Sequence, residues 1–181
     1  LATVIPSCYE IINSHLETAS NDQKEEALTL FHEKPWIWVG DGFVTSKRVA
    51  FDAPDHASPY LYKVPKEMAD FKALLQFCGI RKSFSANDFV NILFSLAMEL
   101  DGTQCNDKQI DLAIFVARHL GRLSQEELKD LNRDILYLPS RDRRMFIAKD
   151  MTYDDAPWLS AIINTKGKTR HTFVNDDINI E

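Results

Sequence analysis

Between Ser85 and Glu127 the same local signal occurs three times: Ser85 with Asp88, Asn106 with Gln109, and Ser124 with Glu127. In each, a small polar side chain can accept from the backbone N–H three residues on, while the later side chain reaches back to the first residue's N–H. Two of the donors that a helix start leaves orphaned are then satisfied. Behind the first signal, Phe89, Ile92, Leu93, Leu96 and Leu100 recur at helical spacing until Asp101-Gly102 closes the run. Behind the second stand Ile110, Ala113, Ile114, Ala117 and Leu120, ended by Gly121. Stripes so placed and so punctuated commit this stretch to amphipathic helices that bury one face against a partner surface. A fourth pair, Ser20 with Gln23, opens a helix carrying Ala27, Leu28 and Phe31, after an earlier stripe at Ile5, Cys8, Tyr9, Ile12 and Leu16.

Elsewhere the period drops to two. Trp36-Ile37-Trp38-Val39, the turn Gly40-Asp41-Gly42, Phe43-Val44 and Val49-Ala50-Phe51 predict a β-hairpin or small meander. Asp52 to Pro59 reads as a loop leading to an extended run at Tyr60 to Val64 that Pro65 ends. Met68, Phe71, Leu74, Leu75, Phe77 and Cys78 share a helical stripe capped by Gly79. A second hairpin follows from Ile135 to Leu138 and Met145 to Ala148, joined by the polar run Pro139-Ser140-Arg141-Asp142-Arg143-Arg144. The expected fold is α+β, a mainly helical single domain with two small β elements over residues 1–163. Residues 164–181 are expected to be an extended, weakly anchored tail.

Composition sets the outer bounds. With 181 residues, 45% of them hydrophobic, one sizeable core is feasible and a second independent domain is not expected. A net charge of −6, without a single-sign block, makes nucleic acid a poor partner. Three cysteines far apart in sequence, Cys8, Cys78 and Cys105, signal neither a disulfide framework nor zinc, and fit a reducing, cytoplasmic setting. No run reaches the roughly 18 apolar residues of a membrane helix. A first residue other than Met, and a finish mid-pattern at Ile178-Asn179-Ile180-Glu181, lead us to expect a piece of a longer protein.

The resources for chemistry are thin. No G-x-S-x-G is present, no cysteine stands beside a histidine, and five histidines are scattered one per segment. Gly40-Asp41-Gly42 lacks the lysine and helix start of a phosphate loop and reads as a plain turn. Asp150, Asp154 and Asp155 have no calcium-loop order, and the last two read as the acidic start of a helix at Ala156-Pro157-Trp158-Leu159. His119 reads as a cationic cap in the last turn of its helix. Trp36 and Trp38, two apart on a strand, point the same way and read as the buried face of a small sheet, with a ligand-stacking platform as the alternative. Arg141, Arg143 and Arg144, with Lys149, form the basic cluster of the second hairpin, and solvated loop charge is the simplest account of it. Catalytic, cofactor-binding and metal-binding residues are expected to be none, and the candidate interaction residues are Arg81, Lys82, Arg141, Arg143, Arg144, Trp36 and Trp38.

Three blocks carry a resemblance. Trp36-Ile37-Trp38-Val39-Gly40-Asp41-Gly42-Phe43-Val44 through Phe51, then Ser58-Pro59-Tyr60-Leu61-Tyr62-Lys63-Val64-Pro65, and later Tyr153-Asp154-Asp155-Ala156-Pro157-Trp158-Leu159 resemble, in order and spacing, the internal repeats of the sacsin family. Phe71 to Leu75, Gly79 to Phe84, Asp88-Phe89 and Ile135 to Pro139 look like the repeat's helical stretch and later strand, so the likeness runs from about Pro35 to Glu181. Sacsins are very large cytoplasmic proteins with a ubiquitin-like domain, repeats that each begin with a heat-shock-chaperone-type ATPase module, a J domain and a C-terminal nucleotide-binding domain. The resemblance implies the part of a repeat that follows the ATPase module. Its Asn-bearing helix, Asp-x-Gly turn and glycine-rich lid have no counterpart here, so no nucleotide-binding residue carries over. What it implies is a noncatalytic spacer and protein-interaction module of a co-chaperone in protein quality control. Its partners would be neighbouring repeat units and ATPase modules, with heat-shock chaperones and the proteasome for the full protein. The alternative is an accessory segment supplying a basic residue, Arg81, Lys82, Arg141, Arg143 or Arg144, to an adjoining ATPase site.

Overall fold

The computed structural model describes residues 4–152 and 172–178. Helices and short strands alternate in a mainly helical α+β architecture, as read from the sequence. Contacts divide the chain into two compact units, Leu1–Phe84 and Ser85–Glu181. The boundary expected at 163/164 lies outside the described residues, as does the predicted helix start at Asp154 and Asp155.

In the first unit, α1 (Val4–Thr18) buries Ile5 and Tyr9 on its apolar stripe. The expected capping box starts α2 (Asn21–Glu33), with the Ser20 N–H donating to Gln23 Oε1 at 2.9 Å. Strands β1 (Ile37–Trp38) and β2 (Phe43–Val44) form the antiparallel hairpin with Ile37 opposite Val44, and Gly40 turns it at φ +109°. The meander, by contrast, does not form. A 3₁₀ turn at Ser46–Arg48 redirects the chain, and β3 (Val49–Asp52) becomes the centre of a separate parallel sheet between β4 (Tyr62–Lys63) and β5 (Arg81–Ser83). The cause is visible in burial: Val49 and Ala50, which point to opposite faces, are both fully buried, the mark of a parallel strand covered on both sides. The return from β4 to β5 runs through α3 (Lys72–Phe77), ended by Gly79 at φ +69°. Ile37, Val49, Met68, Leu74, Leu75 and Cys78 form the floor of this unit's core.

In the second unit, α4 (Ala86–Leu100) and α5 (Asp107–Gly121) pack against each other, with the hairpin β6 (Tyr137–Pro139) and β7 (Met145–Ile147) laid against both. All three capping boxes form. Ser85 N–H donates to Asp88 Oδ2 at 2.8 Å, Asn106 N–H to Gln109 Oε1 at 2.9 Å, and Ser124 N–H to Glu127 Oε2 at 2.8 Å, the last opening the single turn α6 (Gln125–Leu128). The apolar stripe of α5 is broader than its spacing suggested, because Leu112 and Val116 are buried while Ile114 is only half-buried.

Strand β8 (Met151–Thr152) pairs in parallel with β9 (Thr172–Phe173). The described part of the tail is extended at Thr172–Phe173 and turns at Asp176 and Asp177, and it is well anchored rather than loose. The Val174 N–H donates to Thr152 O at 3.1 Å, the Asn175 N–H to Pro139 O at 2.9 Å, and Arg118 Nε to Asp177 O at 2.8 Å. Ile178 is 3% exposed and supplies the apolar anchor that a polar tail was not expected to have.

Candidate functional site

The geometry of the first unit turns on Tyr9. Placed on the apolar stripe of α1, this phenol is 4% exposed, yet its hydroxyl is fully used: it donates to Trp36 O at 2.9 Å and accepts from the Trp38 N–H at 2.9 Å. One side chain thus satisfies two backbone groups, one just before β1 and one within it, that would otherwise be left open, which a buried backbone requires. Burial raises the pKa of Tyr9, with the bond from Trp38 pulling the other way, so the hydroxyl keeps its proton.

Beside this clasp lies a cleft of about 300 Å³, at the small end of the range for ligand sites. Its floor is Ile5, Tyr9 and Met68, and its walls include Trp38 and Tyr62, with Lys63 and Glu67 exposed at the mouth. The hairpin turn brings Trp38 to one wall; β4, fixed in register with Val49 opposite Tyr62, brings Tyr62 to another. Arg48 steadies that wall, its guanidinium 5.5 Å from the centre of the Tyr62 ring and its Nε donating to Tyr60 O at 2.8 Å. Among the described residues the Trp38 indole N–H and the Tyr62 hydroxyl have no hydrogen-bond partner.

The two tryptophans do not share a buried face. Ile37 between them is the fully buried residue, while Trp36 and Trp38 are both half-buried. Trp36 is locked: its indole N–H donates to Ser46 Oγ at 2.8 Å, and its ring stands edge-on to Tyr9 and tilted on Phe31 at 4.7 Å. Trp38 meets Phe43 edge-on at 5.1 Å and faces the cleft. An indole is too large and too polar at its nitrogen to be sealed in this small core as Ile37 is.

Arg81, also in the first unit, donates to Lys47 O at 2.7 Å and lies 5.2 Å from the centre of the Phe84 ring, while Lys82 beside it is exposed. The second unit holds the arginine cluster, and each member meets an acceptor. Arg141 pairs with Asp176 at 2.7 Å, and Arg143 with Asp107 at 2.6 Å. Arg144 donates to Gly102 O at 2.8 Å and lies 3.6 Å from Asp142. Arg143 sits in the left-handed region at φ +63°, and its carbonyl accepts the Cys105 N–H at 2.7 Å, which ties the hairpin loop to the α4–α5 connection. The cluster is therefore joined to its own fold through partners far off in sequence, a pattern no local spacing reveals.

Burial pushes the Cys78 thiol up to about 12 and raises Cys105 as well, so neither is a ready nucleophile. His119 lies 4.2 Å from the Phe89 ring, and burial, then Arg122, lower its pKa against an opposing pull from Glu127. It is thus disposed to be neutral rather than the cationic cap that its position suggested. Among the described residues no group of three histidine, cysteine or acidic side chains is gathered as a metal site, and no helix is long and apolar enough to cross a membrane. Tyr9, Tyr62 and Met68 were not singled out from the sequence for a site; a phenol on an otherwise apolar helical stripe was the available signal.

No family model and no solved structure matches this chain. Human sacsin does, at 29% identity over 129 residues, which is 68% of this chain. The chain spans about 3% of the length of that relative. The resemblance to sacsin is borne out, and the chain is related to it over the 129 aligned residues.

Proposed function

We propose that this sacsin-related segment is a noncatalytic module of a giant, cytoplasmic co-chaperone, working as a spacer and protein-interaction surface in protein quality control. The observation that carries the reading is the match to so small a share of a very long chain. A segment of that kind works between neighbours, and its partners would be adjoining repeat units and chaperone-type ATPase modules. Val4, Ile11 and Phe43 in the first unit, and Met98 in the second, expose large apolar side chains suited to such contacts. The rival reading, in which a basic residue completes an adjoining ATPase site, has less support, since Arg81, Arg141, Arg143 and Arg144 are each held by a carboxylate or carbonyl of this chain, which leaves exposed Lys82 as its candidate.

Hydroxyl-radical footprinting of this chain and of a longer fragment carrying its neighbours, read by mass spectrometry, tests the reading. The side chains of Ile11, Phe43 and Met98 should be oxidised in the short chain and protected in the long one. Equal susceptibility in both would refute the spacer role. Calorimetry with Mg-ATP should give no heat on this chain, and saturable binding would overturn the noncatalytic assignment.

A further inference from the structure

The cleft beside Tyr9 has a specific chemical deficit. Its walls offer two half-buried aromatic rings, Trp38 and Tyr62, over an apolar floor that includes Met68. Its polar groups are mainly donors: the Trp38 indole N–H, the Tyr62 hydroxyl and the Lys63 ammonium, none with a hydrogen-bond partner among the described residues. A ligand for such a surface must present flat apolar groups and carbonyl acceptors without competing N–H donors. A run of prolines in the polyproline II conformation is that ligand: its rings lie on aromatic faces, its carbonyls point outward, its backbone lacks N–H groups, and its stiffness lowers the ordering cost. The mouth adds a charge preference. Lys63 and Glu67 are both exposed there, Glu67 without an ion pair among the described residues, and the chain carries a net charge of −6, so a basic residue flanking the prolines is favoured on the Glu67 side, away from Lys63.

We propose that the Trp38–Tyr62 cleft binds a proline-rich segment with a flanking basic residue, supplied by a partner protein. This rests on the interaction-module reading and names the kind of partner it takes. The probe is an acetylated, amidated hexaproline carrying one terminal arginine, titrated into the full chain by calorimetry and by tryptophan fluorescence. Saturable one-to-one binding is expected. Trp38→Ala should abolish it, and Tyr62→Phe should weaken it about five-fold, the worth of one hydrogen bond. Glu67→Gln should cost two- to five-fold for the arginine peptide and nothing for hexaproline alone. Each variant is checked for an unchanged circular dichroism spectrum and urea midpoint. Absence of saturable binding, equal affinity for an alanine peptide of the same charge, or undiminished binding by a folded Trp38→Ala protein would overturn the proposal. Those results would leave the spacer reading standing, because that reading is decided by protection in the longer fragment.

Discussion

Removing the hydroxyl of Tyr9 is the sharpest probe of how the first unit is held. Tyr9→Phe keeps the ring, its 4% exposure and its edge contact with Trp36, and deletes one oxygen that serves two backbone groups. The Trp36 carbonyl and the Trp38 N–H then lose their partner in a part-buried place. At about 1 kcal/mol for each group left unsatisfied, the loss is about 2 kcal/mol. That is a fall of roughly thirty-fold in the folded-to-unfolded ratio. Urea unfolding followed by tryptophan fluorescence reads it directly: with a slope near 2 kcal/mol per molar, the midpoint should drop by about 1 M at unchanged slope. Tyr62→Phe is the matched control, since its hydroxyl has no protein partner among the described residues, and it should stay within about 0.5 kcal/mol of the parent. A loss below about 0.5 kcal/mol for Tyr9→Phe, or equal losses for both variants, would refute the clasp.

Asn106→Ala should destabilise by about 0.5–2 kcal/mol in the same assay, with Asn106→Ser recovering most of it, because the reciprocal bonds with Gln109 are what start α5. The folded pKa of His119 is lowered, so the unfolded chain takes up its proton first and stability falls on acidification below about pH 6.5; His119→Gln should flatten thermal melts compared between pH 7 and pH 5. The depressed Glu127 acts in the same sense but lower, its contribution fading as pH drops below about 4.5. A maleimide reagent counted by mass should add once, at exposed Cys8, in the native protein, and reach buried Cys78 and Cys105 only in denaturant; three rapid additions would contradict the burial described.

The helices were legible because their information is local. Each of the four capping boxes pairs residues three apart, and each apolar stripe repeats at three or four. The first hairpin was legible for the same reason, with its turn at Gly40 between two apolar strand ends. What escaped was what sequence distance hides. β5 is Arg81-Lys82-Ser83, a composition that announces no strand, and it is a strand by its pairing with β3, with Ala50 opposite Arg81 and Asp52 opposite Ser83. The cleft brings together residues as far apart as Ile5 and Met68, and Arg143 finds Asp107 across 36 positions. Neither arrangement has a period to read. The alternation of Trp36, Ile37 and Trp38 was legible as a strand, but which side met the core was set by size and by the indole nitrogens, not by the alternation itself.

The pairing of β8 with β9 has a mechanical consequence when the chain is pulled from its two sides. The two strands run parallel, so a pull that arrives ahead of β8 and leaves after β9 slides them past one another along their length. In that direction the ladder bonds, the Val174 and Asn175 contacts and the buried Ile178 resist together, rather than opening one after another like a zip. Resistance to such a pull is then concentrated in a seam of a few residues.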